Sequence, residues 1–264
     1  MQYALVNGKR SQALKGMKGV CEHCNKDVIA KCGKIKLHHW AHQRIKDCDH
    51  WWEPETLWHR EWKNLFPEEF REVLFVDKIT GEPHRADIHT DKGITIEFQY
   101  SHIDPQEQTS REKFYQNMVW VINGSRLKRD FPRFAKEIKR LVPVSQGVFR
   151  LDYPEECFPQ AWVERSVPVI FDFLNAATTD IIPENKPLYC LLPKRLGRYA
   201  IVAYLSRDGF VQAIEQGHWL TWVNTLVQNI QQVNQELVTK QQAQSAININ
   251  FFGRRFPNQR RRRF

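Results

Sequence analysis

Apolar and polar positions recur along the chain with changing periods, and each change of period marks an element. Pro54 to Phe66 carries Trp58, Trp62, Leu65 and Phe66 at helical spacing, with a proline suited to the first helical position, and predicts a helix. Phe70–Val76 reads as a strand, Thr80-Gly81-Glu82-Pro83 as a turn, and His84–Thr90 as a second strand. After a tight turn at Asp91-Lys92-Gly93, Ile94–Tyr100 forms a third strand. Its Ile94, Ile96, Phe98 and Tyr100 share one face, and Thr95, Glu97 and Gln99 the other. Asp104 as N-cap, Pro105 next and Glu107 at the third helical position predict a helix running to about Met118. Val119–Ile122 is a fourth strand, so the order is α-β-β-β-α-β. Val167–Phe173, Tyr189–Leu192 and Tyr199–Leu205 read as further strands. Residues 216–245 read as one helix, with an apolar seam at Trp219, Val223, Leu226, Ile230, Val233 and Leu237.

Composition sets the class. The chain has 264 residues, 42% apolar and 26% charged, which suits a soluble globular protein with a sizeable core. No apolar run is long enough to span a bilayer, and Met1–Arg10 lacks the apolar region of a secretory signal. A cytoplasmic location and no membrane partner are therefore expected. Four of the six cysteines fall within residues 21–48, which favours metal ligands and free thiols over a disulfide framework. The net charge of +9 is concentrated at the ends. Residues 1–48 hold ten Lys/Arg against three Asp/Glu, and residues 254–264 hold six Arg and no acid. Basic ends suit a polyanion, with DNA the obvious partner, and the mildly acidic middle suits a site that collects metal ions. Five segments follow: a basic Cys/His lobe (1–50), a core (51–125), a β-rich extension (126–215), an amphipathic helix (216–245) and an Arg/Phe tail (246–264).

The candidate chemistry lies on these elements. Asp87 shares a strand face with Arg85 and His89, and Glu97 shares one with Gln99, across a short turn. Two converging carboxylates can hold Mg²⁺ or Mn²⁺ through oxygen, polarising a phosphate and activating water. The same alternation fits a solvated face of an open antiparallel sheet. Glu55, His59 and Lys63 lie on one helix face. They serve the site, His59 in proton transfer and Lys63 against phosphate charge, or they only support the helix. Arg111 and Tyr115 contact a phosphate or form a surface pair. Cys21-x-x-Cys24 with His39-x-x-His42 offers four ligands for a closed structural Zn²⁺ site, with Cys32, Cys48, His38 and His50 as rivals. This lobe is expected to present its basic surface to DNA. The seam near the C-terminus serves a homo-oligomer, most simply a dimer, or docks the helix on its own domain. Arg254, Arg255, Arg260, Arg261, Arg262 and Arg263 form a basic arm for nucleic acid or a solvated tail.

The motifs stand in a recognisable order: Cys21-x-x-Cys24, His39-Trp40-Ala41-His42, Glu55-x-x-x-His59-x-x-x-Lys63, Arg85-Ala86-Asp87, Ile96-Glu97-Phe98-Gln99-Tyr100-Ser101, Arg111-x-x-x-Tyr115 and Val119-Trp120-Val121-Ile122. This set resembles the CoiA-like family of competence proteins over roughly the first half of the chain. The resemblance implies an α/β fold with a mixed sheet. It implies a PD-(D/E)xK, restriction-endonuclease-like α-β-β-β-α-β core; the patterns read above add the N-terminal zinc lobe, a C-terminal β-rich extension and a long helix. It also implies a Mg²⁺- or Mn²⁺-dependent deoxyribonuclease with Asp87 and Glu97 as ligands, acting in DNA uptake and processing or in antiviral defence. Where the wider superfamily most often has Lys, this chain has Gln99, which is neither a cation nor a base. Gln99 can orient a water or offer its carbonyl oxygen to the metal. Two other readings stay open: a DNA-binding module without turnover, and a scaffold subunit of a DNA-processing or defence complex.

Overall fold

The structure is a computed structural model, and it describes residues 1–34, 37–43, 48, 51, 53–174, 187–195 and 198–253. Among the described residues the strands form two sheets. The first is built from β1 (Tyr3–Val6), β2 (Lys9–Gln12), β3 (Lys18–Val20), β4 (Asp27–Lys31) and β5 (His39–His42), in the order β2-β1-β3-β4-β5. All its pairings are antiparallel, and among the described residues its buried core is small: Ala4, Ala13, Cys21, Val28 and Trp40. A five-residue core supplies little burial energy, so this sheet needs another source of stability.

The second sheet begins after α1 (Leu57–Lys63) with β6 (Arg71–Val76), β7 (Pro83–His89) and β8 (Thr95–Gln99). Then follow α2 (Pro105–Tyr115), β9 (Met118–Asn123), α3 (Asp130–Glu137), β10 (Val142–Ser145), β11 (Val148–Asp152) and α4 (Pro154–Cys157). β12 (Val169–Asp172), β13 (Leu188–Leu191), β14 (Tyr199–Leu205), α5 (Arg207–Glu215) and α6 (Trp219–Gly253) complete the chain. The strand order is β10-β11-β14-β13-β12-β9-β8-β7-β6, so the strands of the extension continue the sheet of the core. β8, β9 and β12 run parallel and the other pairs antiparallel. β9 and β12 are buried at every position, as expected of apolar strands covered on both faces. β8 is equally buried yet carries Thr95, Glu97 and Gln99, and buried polar groups on a central strand point to a site.

α1 starts later than its apolar spacing predicts. Thr56, not the segment at Pro54, is the N-cap, in a capping box closed by His59. Buried carboxylate Asp172 fixes α1 to the sheet. It accepts from the indoles of Trp58 (2.9 Å) and Trp62 (2.8 Å) and from Arg207 (2.9 Å). Trp62 stacks on Phe98 of β8 with ring centroids 5.6 Å apart. An aromatic cluster that includes Phe134, Phe158, Phe171, Phe173 and Tyr189 joins α3 and α4 to the sheet.

The chain divides into two compact units, Met1–Thr221 and Trp222–Phe264. In the second, α6 continues to Gly253, past the expected end at 245 and into the segment read as a tail. Along its seam Val223 is buried, Leu226 and Ile230 are half-buried and Val233 is 54% exposed. The six tail arginines, Arg254 to Arg263, lie outside the described residues. No described helix is long and apolar enough to cross a membrane.

Candidate functional site

β6, β7 and β8 pair antiparallel, and the site lies where their ladders are interrupted. On β6, Arg71 pairs with Ile88 and Val73 with Ala86, so Glu72 stands opposite Asp87. Glu72 adopts a left-handed backbone, φ 49°, which is costly for a residue with a Cβ. Its buried carboxylate accepts from the Gln2 backbone N–H, 2.9 Å, and from Lys63 Nζ, 3.1 Å. The β7–β8 pairing covers only Ile88–Ile96 and His89–Thr95. At the next position along β7, Asp87 instead accepts the Phe98 backbone N–H at 3.0 Å. A cavity of about 250 Å³ results, lined by Asp87, Glu97, Lys63, Glu53, Arg85 and Arg111 among others.

Lys63 is the centre of charge in this cavity. Its ammonium lies 2.8 Å from Glu55, 3.1 Å from Glu72 and 3.4 Å from Asp87. Burial opposes that charge, but Glu72, Asp87 and Glu55 together hold the Lys63 pKa well above its usual value. Lys63 is therefore a fixed cation and not a base. Burial likewise opposes ionisation of Glu55 and Glu72, yet both stay below the usual carboxylate range because of Lys63 and further cations. Glu97 is buried and pairs with Arg111 at 2.7 Å. Gln99 is buried beside it. Its amide nitrogen donates to Glu53 at 2.5 Å, and its carbonyl oxygen has no hydrogen-bond partner among the described residues. A carboxylate neighbour accepts only, so the amide orientation is set and the oxygen is the free end.

His59 lines the same cavity: Nδ1 accepts from the Thr56 backbone N–H, 3.1 Å, and Nε2 lies 3.1 Å from the Phe98 carbonyl and 3.7 Å from Glu53. Burial lowers its pKa, which favours the neutral ring, and Nδ1 also lies 2.8 Å from the Thr56 hydroxyl. Arg111 is buried at the cavity wall between Glu97, Glu107 and the Trp51 carbonyl. Arg85 also faces inward, 3.9 Å from Glu72, and Tyr115 is half-buried beside Phe75 and Trp51.

The structure brings Glu55, Lys63, Asp87, Glu97 and Gln99 close together and adds Glu53 and Glu72. Glu53 accepts from the backbone N–H of Ser101, 2.8 Å, and Tyr100, 3.2 Å. Burial and the nearby Asp87 charge push its pKa up. No spacing rule marks Glu53 or Glu72, since their roles arise from a loop crossing and a twisted strand. The set Asp87, Glu97, Glu53 and the unpartnered Gln99 oxygen is one of hard oxygen donors, and surplus negative charge at Glu53 fits a divalent cation.

A second cluster lies in the first sheet. Donor atoms of Cys21, Cys24, His42 and Cys48 all lie within 4.8 Å of one another. Cys24 Sγ is 3.1 Å from His42 Nε2, and Cys21 Sγ is 3.8 Å from Cys48 Sγ. Bonds of about 2.3 Å to a tetrahedral zinc give sulfur–sulfur edges of about 3.8 Å, so the set fits Zn²⁺. The hydrogen bond with Cys48 lowers the Cys21 thiol pKa. Cys48 replaces His39 in the set. On strand β5, residues three apart face opposite ways, so His39 and His42 cannot both point at Cys24. His39 contacts the Leu37 carbonyl instead, 2.8 Å, and Cys32 donates to Ala13 O. His38 is exposed, and His50 lies outside the described residues.

Comparison with known proteins follows the same division. The family model "Competence protein CoiA, N-terminal domain" matches residues 6–50, and "Competence protein CoiA, nuclease-like domain" matches residues 79–140. Competence protein CoiA of Bacillus subtilis (strain 168) is 27% identical over 143 residues, which is 50% of this chain and 38% of that protein. The chain thus matches less than two thirds of the curated relative's length. No solved structure matches. Together the matches support a CoiA-like family.

Proposed function

We propose that this CoiA-like chain is a metal-dependent deoxyribonuclease whose α1-β6-β7-β8-α2-β9 unit is a restriction-endonuclease-like core. The observation that carries this reading is the convergence of Asp87, Glu97 and Glu53 on one cavity with the buried, charged Lys63, 3.4 Å from Asp87, and with Gln99 tied to that set through Glu53 at 2.5 Å. Asp87, Glu97 and the Gln99 carbonyl oxygen would hold Mg²⁺ or Mn²⁺, with Glu53 beside them. When bound, the ion supplies Lewis acidity and lowers the pKa of a coordinated water. The chain's own residues do the rest. Lys63 stabilises negative charge gathering on the scissile phosphate, a task the lysine missing at position 99 would otherwise perform. Glu53 fixes Gln99 through its amide nitrogen, so the carbonyl oxygen is held toward a nucleophilic water. Glu72 and Glu55 keep the Lys63 ammonium in place. The Cys21/Cys24/His42/Cys48 set would hold a structural Zn²⁺, and the chain would serve DNA uptake and processing or defence.

One observation favours a second reading, DNA binding without turnover: Arg111 already neutralises Glu97 at 2.7 Å. A cleavage assay on plasmid and single-stranded DNA with added Mg²⁺ or Mn²⁺ separates the two. The hydrolase reading expects cleavage that disappears in Asp87→Asn. Binding without cleavage under both metals supports the second reading.

A further inference from the structure

We propose that Arg126, Lys128, Arg129 and Lys139 form the surface along which the DNA backbone runs past the carboxylate cavity. This rests on the phosphodiester reading above and names residues that reading does not use. Residues 126–140 hold seven Lys/Arg against two Asp/Glu. α3 at the centre of this run is amphipathic. Phe131, Phe134 and Ala135 are buried, and Phe134 stacks on Phe173 with centroids 4.3 Å apart. That packing fixes the helix on the sheet and turns its basic side outward.

Three of the seven cations are used internally. Arg133 pairs with Asp130 (3.3 Å), Lys136 with Glu137 (3.6 Å), and Arg140 with Glu137 (2.7 Å) and with Glu156. Arg126, Lys128, Arg129 and Lys139 are exposed, and none has a carboxylate within ion-pair distance among the described residues. They differ in this from Arg85 and Arg111, whose side chains are only 11% and 7% exposed and face acids.

Position ties the four to the site. Gln99 is in register with Ile122 of the parallel strand β9, and Arg126 leaves the end of β9 four residues later. Adjacent strands lie about 4.8 Å apart, so the basic turn emerges beside Gln99. A second cavity of about 130 Å³ has Gln99 and Ser101 on one side and Arg126 and Asp130 on the other. Carboxyl ends of parallel strands are where open α/β sheets bind their ligands. Arg126, Lys128 and Arg129 stand just before α3 and Lys139 just after it, so the helix's eight residues, about 12 Å long, separate the two ends of the set by about three to four phosphates at about 3.4 Å of axis per phosphate on one strand.

The test measures affinity of the full chain for a labelled 20-bp DNA duplex, without added Mg²⁺ or Mn²⁺, across a range of NaCl concentrations. For each duplex phosphate left without its protein cation, the slope of log affinity against log salt becomes shallower by about 0.9. The variant R126Q/K128Q/R129Q/K139Q is expected to flatten the slope by up to about 3.6 while its melting curve stays that of the wild type. The control K15Q/K18Q/K26Q/K31Q removes the same charge from the first sheet and is expected to flatten it by about 1 or less. An unchanged slope in the first variant, or equal flattening in the control, overturns the proposal. A wild-type chain that does not bind the duplex overturns it as well. If the slope responds as expected but no metal supports cleavage, the surface stands and the hydrolase reading falls. Cleavage with an unchanged slope gives the reverse.

Discussion

The two clusters of the first unit differ in how their charge is balanced. The thiol–imidazole cluster joins Cys21, Cys24, His42 and Cys48 in a sheet whose described buried core is five residues, and the charge of Arg85, outside the four, bears on Cys21 and Cys48 without an ion pair among them. The carboxylate cluster carries its own cations, Lys63 against Glu55, Glu72 and Asp87, and Arg111 against Glu97. A site that lacks internal countercharge takes its stability from a bound ion. A site that supplies its own folds first and uses an ion for chemistry. The difference teaches that metal should govern folding at one cluster and turnover at the other.

The strongest way to break this comparison is at the thiol cluster. A structural zinc contributes folding free energy on the order of 10 kcal/mol in small domains. Cys24→Ser is expected to lose zinc and unfold the first sheet. Elemental analysis with circular dichroism checks it, and a folded, zinc-free wild type would remove the basis of the contrast.

Next in size is Lys63→Met. It leaves Glu55, Glu72 and Asp87 facing one another without their shared cation. Removing one partner of a buried pair costs about 3–5 kcal/mol. Denaturant unfolding should show that loss, and cleavage should fall with it.

Asp87→Asn sharpens the contrast from the other side. Turnover is expected to drop by at least about 100-fold, roughly 2.7 kcal/mol of barrier, while stability changes little. Glu97→Ala should behave differently, because it strips Arg111 of a buried partner and costs stability as well as turnover. Equal melting temperatures for Glu97→Ala and the wild type would contradict the ion pair.

A smaller effect concerns pH. His59 has a folded pKa below its ordinary value because it is buried. The unfolded chain therefore binds the proton first, so stability is complete above about pH 6.5 and is lost as pH falls from there toward the folded pKa. Melting curves between pH 7.5 and 5.5 should show a loss that His59→Gln reduces.

The smallest effect on either cluster is expected from the seam of α6. We propose that Leu226, Ile230 and Val233 pair with a second copy. Sedimentation of the wild type should then show a dimer at micromolar concentration, dissociated by Leu226→Asp with Ile230→Asp. A folded wild-type monomer would end that reading.

The sequence by itself determined the element order from α1 to β9, because period-2 and period-3.6 patterns are local and the breakers at Thr80–Pro83 and Asp91–Gly93 are unambiguous. It also put Asp87 and Glu97 on neighbouring strands, since one short hairpin joins them. Only the tertiary structure decided which cations serve the site. Arg111 turned inward because Glu97 was buried with it, and His59 was taken by Thr56 and the Phe98 carbonyl. Glu53 and Glu72 entered through a loop and a left-handed residue that no periodicity reports. Cys48 displaced His39 because strand parity, and not spacing along the chain, aims a ligand. The physical reason is common to these cases. Local pattern fixes which face a residue takes, whereas burial and charge pairing depend on which distant segment arrives to share it.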